Sequence, residues 1–398
     1  MNDNLKSKLT ELDKSQAISI IGDNNNKVSA IGTSLFHCKV PLVLRQHKIR
    51  KKTKKVYTDL DFGMFLEDED FYAGEVLAME TSGSTSTPKL ATFTSESVYN
   101  TLDNYKKIYN IDDKSIIIST LPAYYNFGFV AGSLLSNHIG CELIFTSPDK
   151  LLLDIDNKQL SDEGIRKVII CNPVTIEELA GTLLGIEINN AIFDSGGAAL
   201  SIRAINWFKE HIGDLREGYG LTETCSLTHF DLESNEQSIG TVGTQLSGVK
   251  TKIDNSRGYP EILIKSSNLA NRVNNKIIKK GGWYRSGDLG FIDKNNRLKI
   301  LGRVGDVCIE GLWPRDYLNL IGDVLGFKTA LVMTEPGDKV IIKTISTLNP
   351  SIQYKVRCLL EDVSPEIVVS FKSDINLSNS IKIKRASKPD KLIEAHSI

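Results

Sequence analysis

The feature that most constrains this chain is a recurring alternation of short apolar, β-branched runs with longer amphipathic stretches. Ala17 to Ile21, Ser115 to Ser119, Glu142 to Phe145, Lys167 to Cys171 and Ala191 to Phe193 are too short for free-standing helices. Their side chains suit strands covered on both faces. Thr94 to Tyr109, Ile176 to Leu184 and Leu200 to His211 carry helical spacing, and Ser201 sits where an N-cap hydroxyl would open the last of them. The alternation predicts an α/β fold with mostly parallel sheets flanked by helices. From Ser238 to Ile300 the texture changes to short strands between turns bearing Gly240, Gly243, Gly248, Gly258, Gly281 and Gly282, which predicts a β-rich subdomain. Strand and helix mix again after Gly302-Arg303. The expected division is therefore a large multi-subdomain lobe at 1–302 and a small C-terminal α+β lobe at 303–398.

Composition narrows the partners. With 48 basic and 49 acidic residues, the formal charge of -1 gives no single-sign field, so neither nucleic acid nor a membrane surface is an expected partner. The amino terminus has no apolar signal region, and no window approaches the roughly 18 apolar residues of a bilayer span. Cys38, Cys141, Cys171, Cys225, Cys308 and Cys358 lie far apart without a C-x-x-C pair. That usage suits a reducing, cytoplasmic setting and no zinc site. One local exception is the basic run Arg45 to Lys55, followed by Asp59, Asp61 and Glu67 to Asp70. It reads either as a solvated loop whose halves neutralise each other or as a docking patch for an acidic carrier protein or cosubstrate phosphates.

Four segments carry chemistry. Thr81-Ser82-Gly83-Ser84-Thr85-Ser86-Thr87-Pro88-Lys89 follows the apolar run Val76 to Met79. Its hydroxyls and backbone N–H groups can wrap phosphate oxygens while the ammonium offsets their charge. It lacks the second glycine of a Walker loop, and on residue grounds alone a linker fits it too. In Gly218-Tyr219-Gly220-Leu221-Thr222-Glu223-Thr224 the glycines permit close backbone approach. Tyr219 offers a flat face for a base, Thr222 a phosphate donor and Glu223 a hard oxygen for magnesium. Trp283 to Gly290 holds Asp288 in a glycine-flanked bend, either a hairpin turn or an acceptor for ribose hydroxyls. Leu298 to Asp306 runs a strand into Gly302 and Arg303 at the expected lobe boundary.

In this order the segments resemble the AMP-forming adenylating superfamily of acyl-CoA synthetases, peptide-synthetase adenylation domains and luciferases. The family patterns T-S-G-[ST]-T-G-x-P-K, Y-G-x-T-E, Y-x-[ST]-G-D and G-R-x-x-D occur here in sequence. The resemblance implies that Thr81, Ser82, Gly83, Ser84, Thr85 and Lys89 handle pyrophosphate. Gly196, Gly197 and Ala198 with Tyr219 and Gly220 would bracket adenine, and Thr222 would meet the α-phosphate. Glu223 would hold magnesium, Asp288 the ribose, and Arg303 would lie beside the nucleotide. Ser380-Ile381-Lys382-Ile383-Lys384-Arg385 matches the family's C-terminal lysine context, which implies that Lys382 bridges the carboxylate and the α-phosphate. The implied cofactors are ATP and Mg2+, with CoA or a carrier-protein phosphopantetheine as acceptor.

The sequence also departs from the pattern. Ser86 stands where the family has glycine, Ile381 replaces the glycine before the lysine, and the hinge from Asp306 to Pro314 is short. In the P-x-x-H-x-x-G region the histidine position holds Tyr125. The stretch before Thr81 is short for the family and implies a trimmed amino-terminal subdomain with a compact acyl pocket. Tyr124, Tyr125, Asn126, Phe127 and Gly128 are the expected pocket residues, suited to an aryl or short to medium acyl acid. Because Thr120 to Cys141 contains no Asp or Glu, a free amino acid, whose buried ammonium needs a carboxylate, is disfavoured. The expected activity is acyl-AMP formation with release of pyrophosphate, then transfer to a thiol. The alternatives are a catalytically impaired nucleotide-binding partner or regulator and a stand-alone amino-acid-activating domain. His138, His211 and His229 are expected to be surface or satisfied core groups.

Overall fold

The computed structural model describes residues 17–22, 25–44, 54–58, 62–66, 71–81, 89–274, 276–278, 281–326, 328, 330–344 and 347–373. The chain begins with β1 (Ile18–Gly22), α1 (Asn25–His37), β2 (Leu42–Leu44), β3 (Lys54–Thr58), β4 (Phe62–Leu66), β5 (Glu75–Glu80) and β6 (Leu90–Thr94). Next come α2 (Ser95–Tyr109), β7 (Ile116–Ser119), a π-helix at Gly128–Leu134 continuing as α3 (Leu135–Ile139), β8 (Glu142–Phe145) and β9 (Lys167–Cys171). They are followed by α4 (Pro173–Leu183), β10 (Ala191–Ser195), α5 (Ile202–His211), β11 (Asp214–Tyr219), β12 (His229–Phe230) and β13 (Thr244–Gln245). The β-rich part holds β14 (Val249–Asp254), β15 (Glu261–Ser266), β16 (Arg272–Val273), β17 (Lys276–Ile277), β18 (Tyr284–Ile292) and β19 (Leu298–Arg303). Last come α6 (Pro314–Leu325), β20 (Ala330–Glu335), β21 (Lys339–Thr344), α7 (Pro350–Glu361) and β22 (Val368–Lys372).

Four sheets result. The first runs β17-β16-β6-β5-β2-β1-β4-β3, the second β13-β12-β11-β10-β9-β7-β8, the third β14-β15-β18-β19 and the fourth β20-β21-β22. The second sheet is parallel from β8 through β11, as the buried apolar runs predict. The first is mixed: only β1, β2 and β5 run parallel, and β4, β6 and β16 pair antiparallel. Its β6 pairs antiparallel with β5, the strand before it in the chain.

Strand alternation sorts the second sheet's side chains between two cores. Ile117, Val168, Ile170 and Ile192 face the large core shared with α1, α2 and the π-helix. Ile116, Ile118, Ile169, Cys171 and Phe193 face a second core under α4 and α5. The helix starts follow capping chemistry. The Thr94 hydroxyl accepts from the Ser97 N–H at 3.3 Å, Asn172 Oδ1 from the Thr175 N–H at 2.9 Å, and the Ser201 hydroxyl from the Ala204 N–H at 3.2 Å. The Asn172 cap and Pro173 at the first helical position start α4 three residues earlier than Ile176.

The fourth sheet and α6 and α7 form their own core and lean on the second sheet. Arg315 of α6 donates to Glu217 of β11 at 3.1 and 2.8 Å, and both side chains are buried. Lys299 meets Asp316 at 2.7 Å, and the Ile202 N–H donates to Asn319 Oδ1 at 3.1 Å. Among the described residues no helix is long and apolar enough to cross a membrane.

His229 is a satisfied core group. Its Nδ1 lies 3.0 Å from the Thr228 hydroxyl and its Nε2 3.1 Å from that of Thr251, and burial holds its pKa down at about 3. The unfolded chain takes up this proton near pH 6.5 and the folded one does not. Stability from this group is therefore complete above pH 6.5 and falls as pH drops toward 3, by up to about 1.4 kcal/mol per pH unit. In denaturant titrations between pH 7 and 5, His229→Gln is expected to lose stability less steeply than the unaltered protein; matching slopes would mean the folded state admits the proton.

Candidate active site

The hydroxyl-rich loop leaves the end of β5 and returns into β6. The Thr81 N–H donates to the Lys89 carbonyl at 2.7 Å and the Lys89 N–H to the Thr81 hydroxyl at 3.2 Å. These two bonds pinch the loop at its base. Ser82, Gly83, Ser84 and Thr85 lie outside the described residues, as do Lys382 and the basic positions from Arg45 to Lys52.

Past β10 the backbone turns through Gly197 at φ +96, a left-handed conformation that glycine adopts without strain. Past β11, Gly220 packs so closely on the following turn that a Cβ there would fall 1.4 Å from the Ser226 carbonyl oxygen. Thr222 to Thr224 then form one 3-10 turn. Asn126 fixes that turn from the other side, because its Nδ2 donates to the Thr222 hydroxyl at 2.7 Å and to the Glu80 carbonyl at 3.1 Å. Burial, then the Glu223 carboxylate it bonds to, pushes the Tyr284 phenol far up, so it stays a donor to Glu223.

Asp288 sits within β18, whose pairing shifts register at Leu289 and Gly290, with Gly287 at φ +74. The bend expected from the sequence is thus a bulged strand rather than a hairpin turn. Asp288 accepts from the Tyr219 hydroxyl at 2.9 Å on one oxygen and forms an ion pair with Arg303 Nε at 2.9 Å through the other. Burial, followed by the Asp288 charge, pushes the Tyr219 phenol well up. The Arg303 N–H in turn donates to Asp306 Oδ2 at 2.7 Å.

Thr81, Lys89, Gly197, Ala198, Tyr219, Gly220, Thr222, Glu223, Asp288 and Arg303 all line one crevice of about 480 Å³. A second cavity of about 80 Å³ shares Gly197, Gly220, Leu221 and Thr222 with it and adds Tyr125, Asn126, Phe127 and Gly196. Tyr124 and Gly128 line neither; Tyr124 packs on Tyr125 at 5.1 Å between ring centroids. A Cβ on Gly128 would meet the Pro122 carbonyl at 2.5 Å, so its role is to let the chain turn.

Asp194 of β10 also lines the small cavity. A free amino acid is disfavoured from Thr120 to Cys141 alone, whereas the wall of this cavity also takes a residue from a strand outside that stretch. An aspartate inside the apolar run AIFDS was the available signal.

Fold and motif order together define the AMP-forming adenylating superfamily. Residues 75–272 match the family described as AMP-binding enzyme, a match that supports this superfamily. An ATP-bound RpMatB-BxBclM chimera is similar in fold, with a TM-score of 0.63 at 21% identity, over 77% of this chain and 66% of that one. The Bacillus subtilis o-succinylbenzoate CoA synthetase, in complex with its acyl-adenylate intermediate, aligns with a TM-score of 0.63 at 18% identity, over 79% of this chain and 69% of its own. Among curated relatives, a 2-succinylbenzoate–CoA ligase of Enterococcus faecalis is 29% identical over 135 residues, 30% of this chain and 28% of the relative. An acyl-CoA ligase of Penicillium expansum is 25% identical over 261 residues, covering 58% and 52%. The chain thus spans about half or less of the length of these two curated relatives.

Asn126→Leu removes the donor that ties Thr222 to the end of β5. The expected cost is about 1–3 kcal/mol, read as a lowered thermal midpoint; an unchanged midpoint would show that the turn holds without the amide.

Proposed function

We propose that this chain activates a carboxylic acid with ATP as an acyl adenylate, releases pyrophosphate, and passes the acyl group to the thiol of CoA or of a carrier-protein phosphopantetheine. The observation that carries this reading is the convergence of Thr81, Lys89, Thr222, Glu223, Asp288 and Arg303 on one crevice that shares a wall with a small, mostly apolar cavity. A nucleotide fits the first and an acyl group the second.

A carboxylate is a poor electrophile, and adenylation gives it a phosphate leaving group. No nucleophilic side chain is needed; what lowers the barrier is positive charge and donors placed where phosphate charge develops. Lys89 and the hydroxyls of the loop from Thr81 serve the pyrophosphate. Asp288, held on the crevice wall between Tyr219 and Arg303, accepts from ribose hydroxyls, and the backbone of Gly196, Gly197 and Ala198 with the Tyr219 ring frames the base.

Glu223 supplies one hard carboxylate oxygen, and a single carboxylate completed by phosphates and water is the donor set magnesium takes at nucleotide sites. The ion, when bound, neutralises phosphate charge. Lys382 bridges the substrate carboxylate and the α-phosphate from a small lobe at 303–398, which turns about Arg303 to Asp306 between half-reactions. The acid is aryl or short to medium acyl, in keeping with relatives named for succinylbenzoate and fatty acids, and the working compartment is the cytoplasm. The Arg45 to Lys55 run favours an acidic carrier protein as partner.

ATP–pyrophosphate exchange across a panel of carboxylic acids tests the reading. Exchange with at least one acid is expected and would exclude a non-catalytic nucleotide binder; silence across the panel with intact nucleotide binding would favour that binder. Lys382→Ala is expected to abolish exchange while thioester formation from supplied acyl adenylate persists, and equal loss of both would remove Lys382 from its role.

A further inference from the structure

The third sheet gives one face to the large core and turns the other outward. Val249 and Ile253 of β14 pack in that core with Ile262 and Ile264 of β15. Lys250 and Lys252 alternate with them, so both stand on the outer face, and both are exposed. Lys250 lies directly opposite Lys265 of β15. The Lys252 ammonium lies 4.7 Å from the centroid of the Trp283 ring, which is 40% exposed. Farther along the same face Arg285 is neutralised by Asp254 and Glu261. Among the described residues no carboxylate pairs with Lys250, Lys252 or Lys265.

Like charges directly opposite on one face of an antiparallel pair repel, and here a third ammonium stands two residues along the strand. The cluster costs stability in the free protein, and a partner that brings negative charge offsets that cost. None of the three lysines lines the crevice or the small cavity. A small ligand takes a concave site, whereas an outward sheet face with an exposed tryptophan suits another protein, since aromatic anchors are enriched at such interfaces. Three charges make too short a track for nucleic acid. The same strands reach the site: Glu261 of β15 and Tyr284 and Arg285 of β18 line the crevice. Lys265 stands four residues from Glu261, about 13 Å along the strand, a distance that a phosphopantetheine arm spans.

We propose that the outer face of the third sheet, centred on Lys250, Lys252, Lys265 and Trp283, docks an acidic carrier protein, whose phosphopantetheine thiol enters the crevice past Arg285. The acceptor of the acyl group is then the carrier protein rather than free CoA. This rests on the acid-activation reading given above and narrows the acceptor that it leaves open.

The test uses the full chain with an acid that supports ATP–pyrophosphate exchange, and compares two acceptors, CoA and a purified holo acyl carrier protein of net negative charge. Transfer to the carrier protein is expected to exceed transfer to CoA in kcat/KM and to weaken through KM as salt is raised. Lys265→Glu turns the repelling pair into an attracting one, so its thermal midpoint holds or rises. Its exchange and its transfer to CoA stay unchanged, while transfer to the carrier protein falls about ten-fold or more through KM. Lys250→Glu is expected to behave alike. Transfer to the carrier protein that is unaltered in both variants, or transfer to CoA with none to the carrier protein, overturns the proposal while leaving acid activation intact. An equal loss with both acceptors also overturns it, because the lysines then read the phosphates of CoA. Exchange with no acid overturns the activation reading and this proposal with it.

Discussion

Four neighbouring strands of the second sheet, β7, β9, β10 and β11, run parallel and end on the same edge, and the inner wall of the candidate site is hung from that edge. Parallel strands buried on both faces must send their connections out at one side, and in open α/β sheets ligands gather there. The segments after β7, β9, β10 and β11 deliver Asn126, Asn172, Gly196 to Ala198 and Tyr219 to Glu223 in turn. Residues nearly a hundred positions apart, such as Asn126 and Thr222, touch because the segments that follow β7 and β11 meet over the ends of β9 and β10, which lie between them. The first and third sheets close the crevice from outside, the one with Thr81 and Lys89, the other with Asp288.

Much of this was legible in the sequence, for a physical reason in each case. Lys167 to Cys171 is a strand to the residue because a run of β-branched side chains buried on both faces has no helical stripe to offer. Ser201 caps its helix as its hydroxyl predicts. The residues proposed for the nucleotide could be singled out because phosphate, ribose and magnesium demand particular donors at particular spacings, which a linear motif can hold, and the structure brings those it describes to one crevice. The shape of the Asp288 segment was not legible, since a glycine-flanked aspartate suits a turn or a bulge and only pairing with β15 and β19 decides between them. Nor was the direction of the first sheet, because a strand's partner is set by the loop that follows it, not by its own side chains.

The small cavity shows the sharper limit. Aromatic residues near Tyr125 announce a pocket through their own composition, yet its polar character comes from Asp194 and Asn172, on two other strand ends. A cavity wall has no sequence window of its own. Each contributor looks ordinary in place: Asn172 is a helix cap, and Asp194 is a single charge in a short strand. Their juxtaposition comes from the order β7-β9-β10 in the sheet, and it appears only once that order is known.

The Arg315–Glu217 pair joins α6 to β11 with both charges out of water, and Glu217 also accepts from the Leu200 N–H at 3.0 Å. Any displacement of α6 from the sheet must therefore hydrate two ions at once and strand a backbone amide. Intermediate positions are the worst of all, because there the two ions have already parted and solvent has not yet reached either. Such a latch favours two settled arrangements over a continuum, so motion at this seam would be abrupt and infrequent rather than a gradual drift.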